Sequence, residues 1–321
     1  MIRTLLINPA ISTLNVGDEI IADGVKKAIS SVLSESFVTE VSSHLPLSYM
    51  YKKAIGECNL KFVCGSNLLM GKMNGRFKQW QIGFKDIAFM KGSILVGVGW
   101  WQYNNDLNLF TYLLYKKILN KKYIHSVRDS YTEKKLKEMG VMNVINTGCP
   151  TLWSLTQDHC NCIKKTKSNT VVFTITDYNK NYVKDKELIN TLVSNYKNVY
   201  FWPQGVGDLK YFEELEVGEN ITVISPTLKA YDEFLELYET DYVGTRLHGG
   251  IRALQKKRRT IIISIDNRAK EKEKDFNIKC VSRENISTLH SVINSDFKTE
   301  IMIPLKNIEI WKNQFIDKTK I

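Results

Sequence analysis

No apolar run in these 321 residues is long enough to cross a bilayer. The most apolar stretch, Ile94 to Trp101, falls far short of the roughly 20 residues that a spanning helix needs. Met1 to Pro9 holds too short an apolar run for a secretory leader, and Asn8-Pro9 ends it. Cys58, Cys64, Cys149, Cys160, Cys162 and Cys280 are spaced without a disulfide framework, so reduced thiols are expected. His159-Cys160-Asn161-Cys162 has the look of half a metal site. No second pair with ligand spacing accompanies it, so neither a metal nor a cofactor is expected.

There is also no internal repeat, no low-complexity tract and no recognised nucleic-acid module, despite a net charge of +11. Nucleic acid is therefore not an expected partner. The lysines and arginines are scattered, with one run at Lys256-Lys257-Arg258-Arg259. Most fit a solvated surface; together they also fit a basic face near acidic lipid head groups. The expectation is a cytoplasmic protein with peripheral contact at the inner face of an anionic membrane.

What is present is alternation. Short apolar strands at 4–8, 37–41, 61–64, 94–98, 123–127 and 144–146 are separated by helical stretches such as 17–33, 107–119 and 129–139. A polar stretch at 158–169 breaks the pattern and is the best linker. Alternation then restarts at 170–175 and continues through 199–202, 222–224, 242–243 and 260–264. This predicts an α/β fold of two doubly wound domains with parallel sheets, facing each other over a cleft. The expected division is 1–160, 168–300 and a segment 301–321 packing back on the first domain. Ligands of such sheets sit at the carboxyl ends of the strands.

Five motifs fall at those ends. Asn15-Val-Gly17-Asp18 opens a helix, either as a plain cap or as a holder of sugar hydroxyls. Gly65-Ser66-Asn67-Leu-Leu69 is either a simple loop or a lining of the cleft. In Ser126-Val-Arg128-Asp129, the arginine can point into the cleft or pair with its neighbour. Gln204, in Trp202-Pro-Gln-Gly-Val-Gly-Asp208, can bond a ligand or sit in an ordinary turn. The last, Asp241-Tyr-Val-Gly-Thr-Arg246-Leu247-His248-Gly249-Gly250, reads as strand, turn and helix start. A helix start presents unpaired N–H groups and partial positive charge. Arg246 adds a fork suited to phosphate or carboxylate, His248 a proton shuttle, and the two glycines a close backbone approach to a bound group. An ordinary αβ junction with a packed histidine fits the same residues.

Taken in order, these motifs resemble the polysaccharide pyruvyl transferase family: Asn15 to Asp18, Gly65 to Leu69, Ser126 to Asp129, Cys149-Pro-Thr-Leu152 and Arg246 to His248. The resemblance covers roughly residues 5 to 280. It implies two Rossmann-like domains of the GT-B-like kind. It also implies transfer of a pyruvyl group from phosphoenolpyruvate to two hydroxyls of one sugar, giving a cyclic ketal and free phosphate in surface polysaccharide (capsule or exopolysaccharide) biosynthesis. By the same resemblance the donor is held by Arg128, Arg246, Leu247, His248 and Gly249. The acceptor, free or lipid-linked, is held by Asn15, Gly17, Asp18, Ser66 and Asn67. His248 and Arg246 are the catalytic pair, and His125 is the second candidate for proton transfer. Two competing readings fit parts of the pattern: a GT-B glycosyltransferase using a nucleotide sugar, and a non-catalytic binder of nucleic acid or anionic glycans driven by net charge.

Overall fold

The computed structural model describes residues 1–101, 106–218, 220–265 and 274–316. The chain forms two compact units. The first comprises 1–13, 21–153 and 303–321; the second comprises 14–20 and 154–302. Neither is continuous in sequence. The short segment 14–20, expected with the N-terminal domain, groups instead with the second unit.

The first unit is built on four parallel strands: β1 (Ile2–Asn8), β2 (Ser36–Ser42), β3 (Leu60–Cys64) and β4 (Ser93–Val96), in the order β2-β1-β3-β4. A parallel pair, β5 (His125–Val127) and β6 (Val144–Asn146), continues it through a single bridge between Val98 and Val127. The β3 strand is buried along its whole length, as a central parallel strand covered on both faces must be. The helix Leu305–Asn313 returns the chain to this unit, where Trp311 and Phe315 enter the core. Phe315 stacks on Tyr123 at 5.4 Å, and the Gln314 side-chain amide bonds both the N–H and the C=O of Ile124.

His125 closes a gap in this sheet. Its Nδ1 accepts from the Leu95 N–H at 3.2 Å, so Nε2 carries the proton and donates to the Asn120 carbonyl at 2.9 Å. Both nitrogens are thus used by backbone, and burial lowers its pKa to about 4. The residue is a structural bridge between β4 and β5. It is not in a setting to shuttle protons. The neutral form is the one the fold accepts, so stability is lost as pH falls from 6.5 towards 4. At about 1.4 kcal/mol per pH unit this amounts to roughly 3 kcal/mol. Denaturant melts at pH 7 and pH 4.5 should show the loss, and His125→Asn should flatten the slope in that window.

The second unit carries six parallel strands: β7 (Thr170–Thr174), β8 (Asn198–Phe201), β9 (Ile221–Val223), β10 (Asp241–Gly244), β11 (Thr260–Ser264) and β12 (Cys280–Ser282). Their order is β9-β8-β7-β10-β11-β12. Numbered within the unit this is 3-2-1-4-5-6, the order of dinucleotide-binding Rossmann sheets. The winding reverses between β7 and β10, the position at whose carboxyl ends sheets of this order hold their ligands. The expected linker at 158–169 is partly a helix, Gln157–Asn161, because the Thr156 side chain accepts from the His159 N–H and caps it. The His159 ring is bonded to the Leu254 carbonyl at 2.8 Å. At the other end of the basic run, Arg259 is buried and paired with Asp241 at 2.8 Å, so it does not belong to a solvated face.

Candidate functional site

The Arg246 turn follows β10, at the carboxyl ends of the adjacent strands β7 and β10 of the second unit. Thr174 ends β7 and ties the two strand ends together. Its hydroxyl accepts from the Arg246 N–H at 3.1 Å and meets the Tyr242 hydroxyl at 2.6 Å; Tyr242 in turn donates to the Arg246 carbonyl. The helix Leu247–Gln255 follows directly, and no side chain caps its first turn. Its start is braced from behind. Tyr231, stacked on Trp202 with ring centroids 3.8 Å apart, donates to the Gly249 carbonyl at 3.0 Å.

The two glycines of this helix serve packing. A Cβ on Gly250 would come 2.2 Å from Ile262. One on Gly249 would meet the Gln204 amide oxygen at 3.1 Å and the Tyr242 hydroxyl at 3.2 Å. At both positions the side that a Cβ would occupy is taken up by the packing of helix against sheet.

Arg246 is buried, and its guanidinium is held by two carboxylates. Nε donates to Asp208 Oδ2 at 2.9 Å, and Nη2 donates both to Asp208 Oδ1 and to Asp177 Oδ1, the latter at 2.9 Å. These pairs leave Nη1 unused. The Tyr178 ring lies 5.1 Å from the guanidinium carbon, within cation–π range. Asp208 is fully buried and receives three further N–H groups, from Gln204, Gly205 and Asp177. Burial pushes its carboxyl up from the ordinary value, while Arg246 and the backbone donors oppose that shift. Asp177 is different: its side chain is 30% exposed and its carboxylate is bonded to Arg246. The glycines on either side of Val206 make room for this cluster, since a Cβ on Gly205 would come 2.2 Å from Arg246 Nη2.

The segment Asn15 to Asp18 joins the same unit. Asn15 pairs with Gly205 in an antiparallel bridge, with Val16 N–H donating to the Gln204 carbonyl and Val206 N–H to the Leu14 carbonyl. The Asn15 side-chain oxygen accepts from Gln204 Nε2 at 2.8 Å and from the Gly17 N–H at 3.1 Å. Asn15 therefore both opens the helix Gly17–Ala28 and fastens the 204–206 loop. Asp18 is buried just inside that helix. Gln204 Oε1 is buried and has no hydrogen-bond partner among the described residues.

The other predicted residues lie in the first unit. Ser66 adopts a left-handed φ of 58° at the end of β3, and its carbonyl accepts from Gly99 N–H. Asn67 follows, its buried Oδ1 without a hydrogen-bond partner among the described residues. Arg128 directly follows β5 and is buried, with Nε donating to Asp129 at 3.0 Å. Its side chain crosses the backbone of Gly99, where a Cβ would come 2.0 Å from Nε. Asp129 also caps the helix Ser130–Glu138 through the Thr132 N–H. Of the predicted residues, the structure brings together Asn15, Gly17, Arg246 and Gly249 around Gln204 and Asp208. Sequence reasoning passed over Asp208 as a binding partner and did not single out Asp177.

Comparison with known proteins agrees with the resemblance. A family model described as polysaccharide pyruvyl transferase matches residues 15–267. No curated protein matches the chain. Among solved structures, UDP-GlcNAc 2-epimerase of Methanocaldococcus jannaschii, in complex with UDP-GlcNAc and UDP, is similar over 100% of both chains at 10% identity and a TM-score of 0.57. S. aureus MnaA with UDP is similar over 100% of this chain and 96% of that one, at 10% identity and a TM-score of 0.55. At such identity the likeness shows the fold alone, an α/β architecture of GT-B type built from Rossmann-like units.

Proposed function

The chain belongs to the polysaccharide pyruvyl transferase family, and from that premise we propose that it moves a pyruvyl group from phosphoenolpyruvate onto two hydroxyls of one sugar. The observation that carries the reading is the position of Arg246-Leu247-His248. The turn sits at the point where the second sheet reverses, at the mouth of an uncapped helix. That is where an α/β sheet holds anionic ligands. The donor is a small enol bearing a phosphate and a carboxylate. Arg246 offers Nη1, and it offers Nη2 once Asp177 yields; Arg128 is the second arginine assigned to the donor.

The reaction adds a proton to the enol methylene, which becomes the ketal methyl group. The central carbon then takes bonds from two sugar oxygens and loses its bond to the phosphate oxygen. The two hydroxyl protons leave: one balances the new methyl, and the other departs with phosphate. His248, half-buried in the first helical turn, is assigned these proton transfers. Asn15, Gly17 and Asp18, with Ser66 and Asn67 of the first unit, are assigned to the acceptor. Asn15 does so while bonded to Gln204, which makes Gln204 a positioning residue for that turn.

The test is direct. The protein is incubated with phosphoenolpyruvate and a panel of sugars, and inorganic phosphate is measured together with a mass gain of one pyruvate less one water on the sugar. Thermal stabilisation is compared for phosphoenolpyruvate and UDP-sugars. Phosphate release matched by sugar modification supports the reading. Stabilisation by UDP-sugars alone, with no phosphate released, rejects it in favour of sugar transfer.

A further inference from the structure

Most exposed side chains in the first unit are polar, but one region is not. Tyr49 and Met50 are 84% and 83% exposed, and Tyr51, Phe77, Phe84 and Leu109 are exposed beside them in the sequence segments 45–51, 76–85 and 107–113. Those three segments are stitched into one surface. Gln81 N–H donates to the Ser43 carbonyl, and Lys52 pairs with Asp86 at 3.0 Å. Phe84 lies against Phe110 at 4.3 Å, and Asn108 bonds Asn74 at 2.6 Å. The surface stands at the carboxyl end of the first sheet, since the segments that form it leave β2 and β3 at that end. The loop Ser66-Asn67 opens at the same end.

Its charge is one-sided. Lys53, Arg76 and Lys85 are exposed there. Between residues 44 and 91 the only acids are Glu57 and Asp86, and beside the 107–113 segment the exposed Asp106 is neutralised by Lys72 at 2.8 Å. Glu57 is paired with Arg3, and Asp86 is buried against Lys52. Apolar tips ringed by lysine and arginine match the boundary between lipid head groups and acyl chains, where aromatic and aliphatic ends are buried and cations meet lipid phosphates. Stacked nucleic-acid bases would use the aromatic rings but leave Met50, Leu45 and Leu109 without a role.

We propose that this rim is a docking surface for an anionic phospholipid bilayer. It sets the acceptor loop at the membrane and selects sugars carried on lipid. The substrate-class part rests on the pyruvyl-transfer reading; the docking itself does not.

The experiment is co-flotation of the full chain with vesicles of phosphatidylcholine alone or with phosphatidylglycerol added, at low and high salt. Wild type is expected to float with the anionic vesicles and to lose binding in high salt. The variant Lys53→Glu/Arg76→Glu/Lys85→Glu should bind on the order of a hundredfold more weakly, at a factor of about five for each cation removed. The variant Tyr49→Ser/Met50→Ser/Tyr51→Ser should lose at least about tenfold, since three exposed apolar tips no longer enter the lipid. Both sets of side chains are exposed, so melting temperatures should hold. Absent flotation of wild type, equal flotation of the variants, or self-association that the same substitutions abolish would each overturn the proposal. Phosphoenolpyruvate stabilisation, measured in parallel, keeps the two readings apart: its loss in wild type removes pyruvyl transfer and leaves the vesicle result standing.

Discussion

Asp208→Ala is expected to lower the unfolding midpoint on the order of 10 °C, read by a thermal melt. The carboxylate is fully buried and takes both the Nε and the Nη2 of Arg246 together with three backbone N–H groups. Removing it leaves the buried guanidinium with the partly exposed Asp177 alone and strands three backbone donors. Breaking a buried ion pair from one side costs about 3–5 kcal/mol, and each kcal/mol moves the midpoint about 2–4 °C in units of this size. Asp177→Asn is expected to behave in the opposite way. Its side chain is partly exposed and its carboxylate meets one guanidinium nitrogen, so the midpoint should move by no more than a few degrees. The effect belongs to ligand binding. Arg246 with two carboxylates carries a net charge of minus one, which repels an anion. Neutralising Asp177 should lower the phosphoenolpyruvate concentration for half-saturation severalfold. A weaker donor interaction in Asp177→Asn would show that the carboxylate holds Arg246 in its binding pose and does not compete with the donor.

His248→Ala is expected to cut the rate of phosphate release from phosphoenolpyruvate at least about a hundredfold, measured on protein that a melt shows to be folded. Proton transfer by a positioned side chain contributes about 10²–10⁴ in rate, and ketal formation needs a proton moved at the methylene and at two hydroxyls. The Thr174–Tyr242 bond and the Arg246–Asp208 pair that hold the turn are made by other side chains. Turnover within a few-fold of wild type in a folded His248→Ala protein would remove the histidine from the chemistry. Arg246→Lys gives a contrasting signature. A single ammonium cannot bridge Asp208 and Asp177 as the planar fork does, so stability and donor affinity should fall together.

Much of this arrangement could be read from the residues. Alternating apolar runs imply the parallel sheets, and the motif Asp241 to Gly250 implies the strand, turn and helix start that the second sheet has beside β7. The parts that escaped share a cause. Asp208 and Asp177 lie 38 and 69 residues from Arg246, and only the folded sheet makes them neighbours. One local signal was available: Gly205-Val-Gly207-Asp208 places an aspartate at the first position of the helix Asp208–Glu214, after two glycines, which suits a buried carboxylate gathering backbone N–H groups. His125 shows the converse error. A histidine three residues from a candidate arginine looks chemical in sequence, yet both its nitrogens are spent on the backbone between β4 and β5. The Gly249-Gly250 pair has a packing role that the sequence did not separate from a ligand role, because glycine for a ligand and glycine for a neighbouring strand leave the same trace.

The bridge between Asn15 and Gly205 limits how this protein can be cut or recombined. A chimera joined near residue 153 would inherit its 204–206 loop from one parent and the strand-like 14–16 segment that pairs with it from the other. Exchanging halves between relatives should therefore fail at the junction unless residues 14–20 travel with the C-terminal piece. Gene fragments encoding 154–302 alone would leave that loop's backbone groups to the solvent.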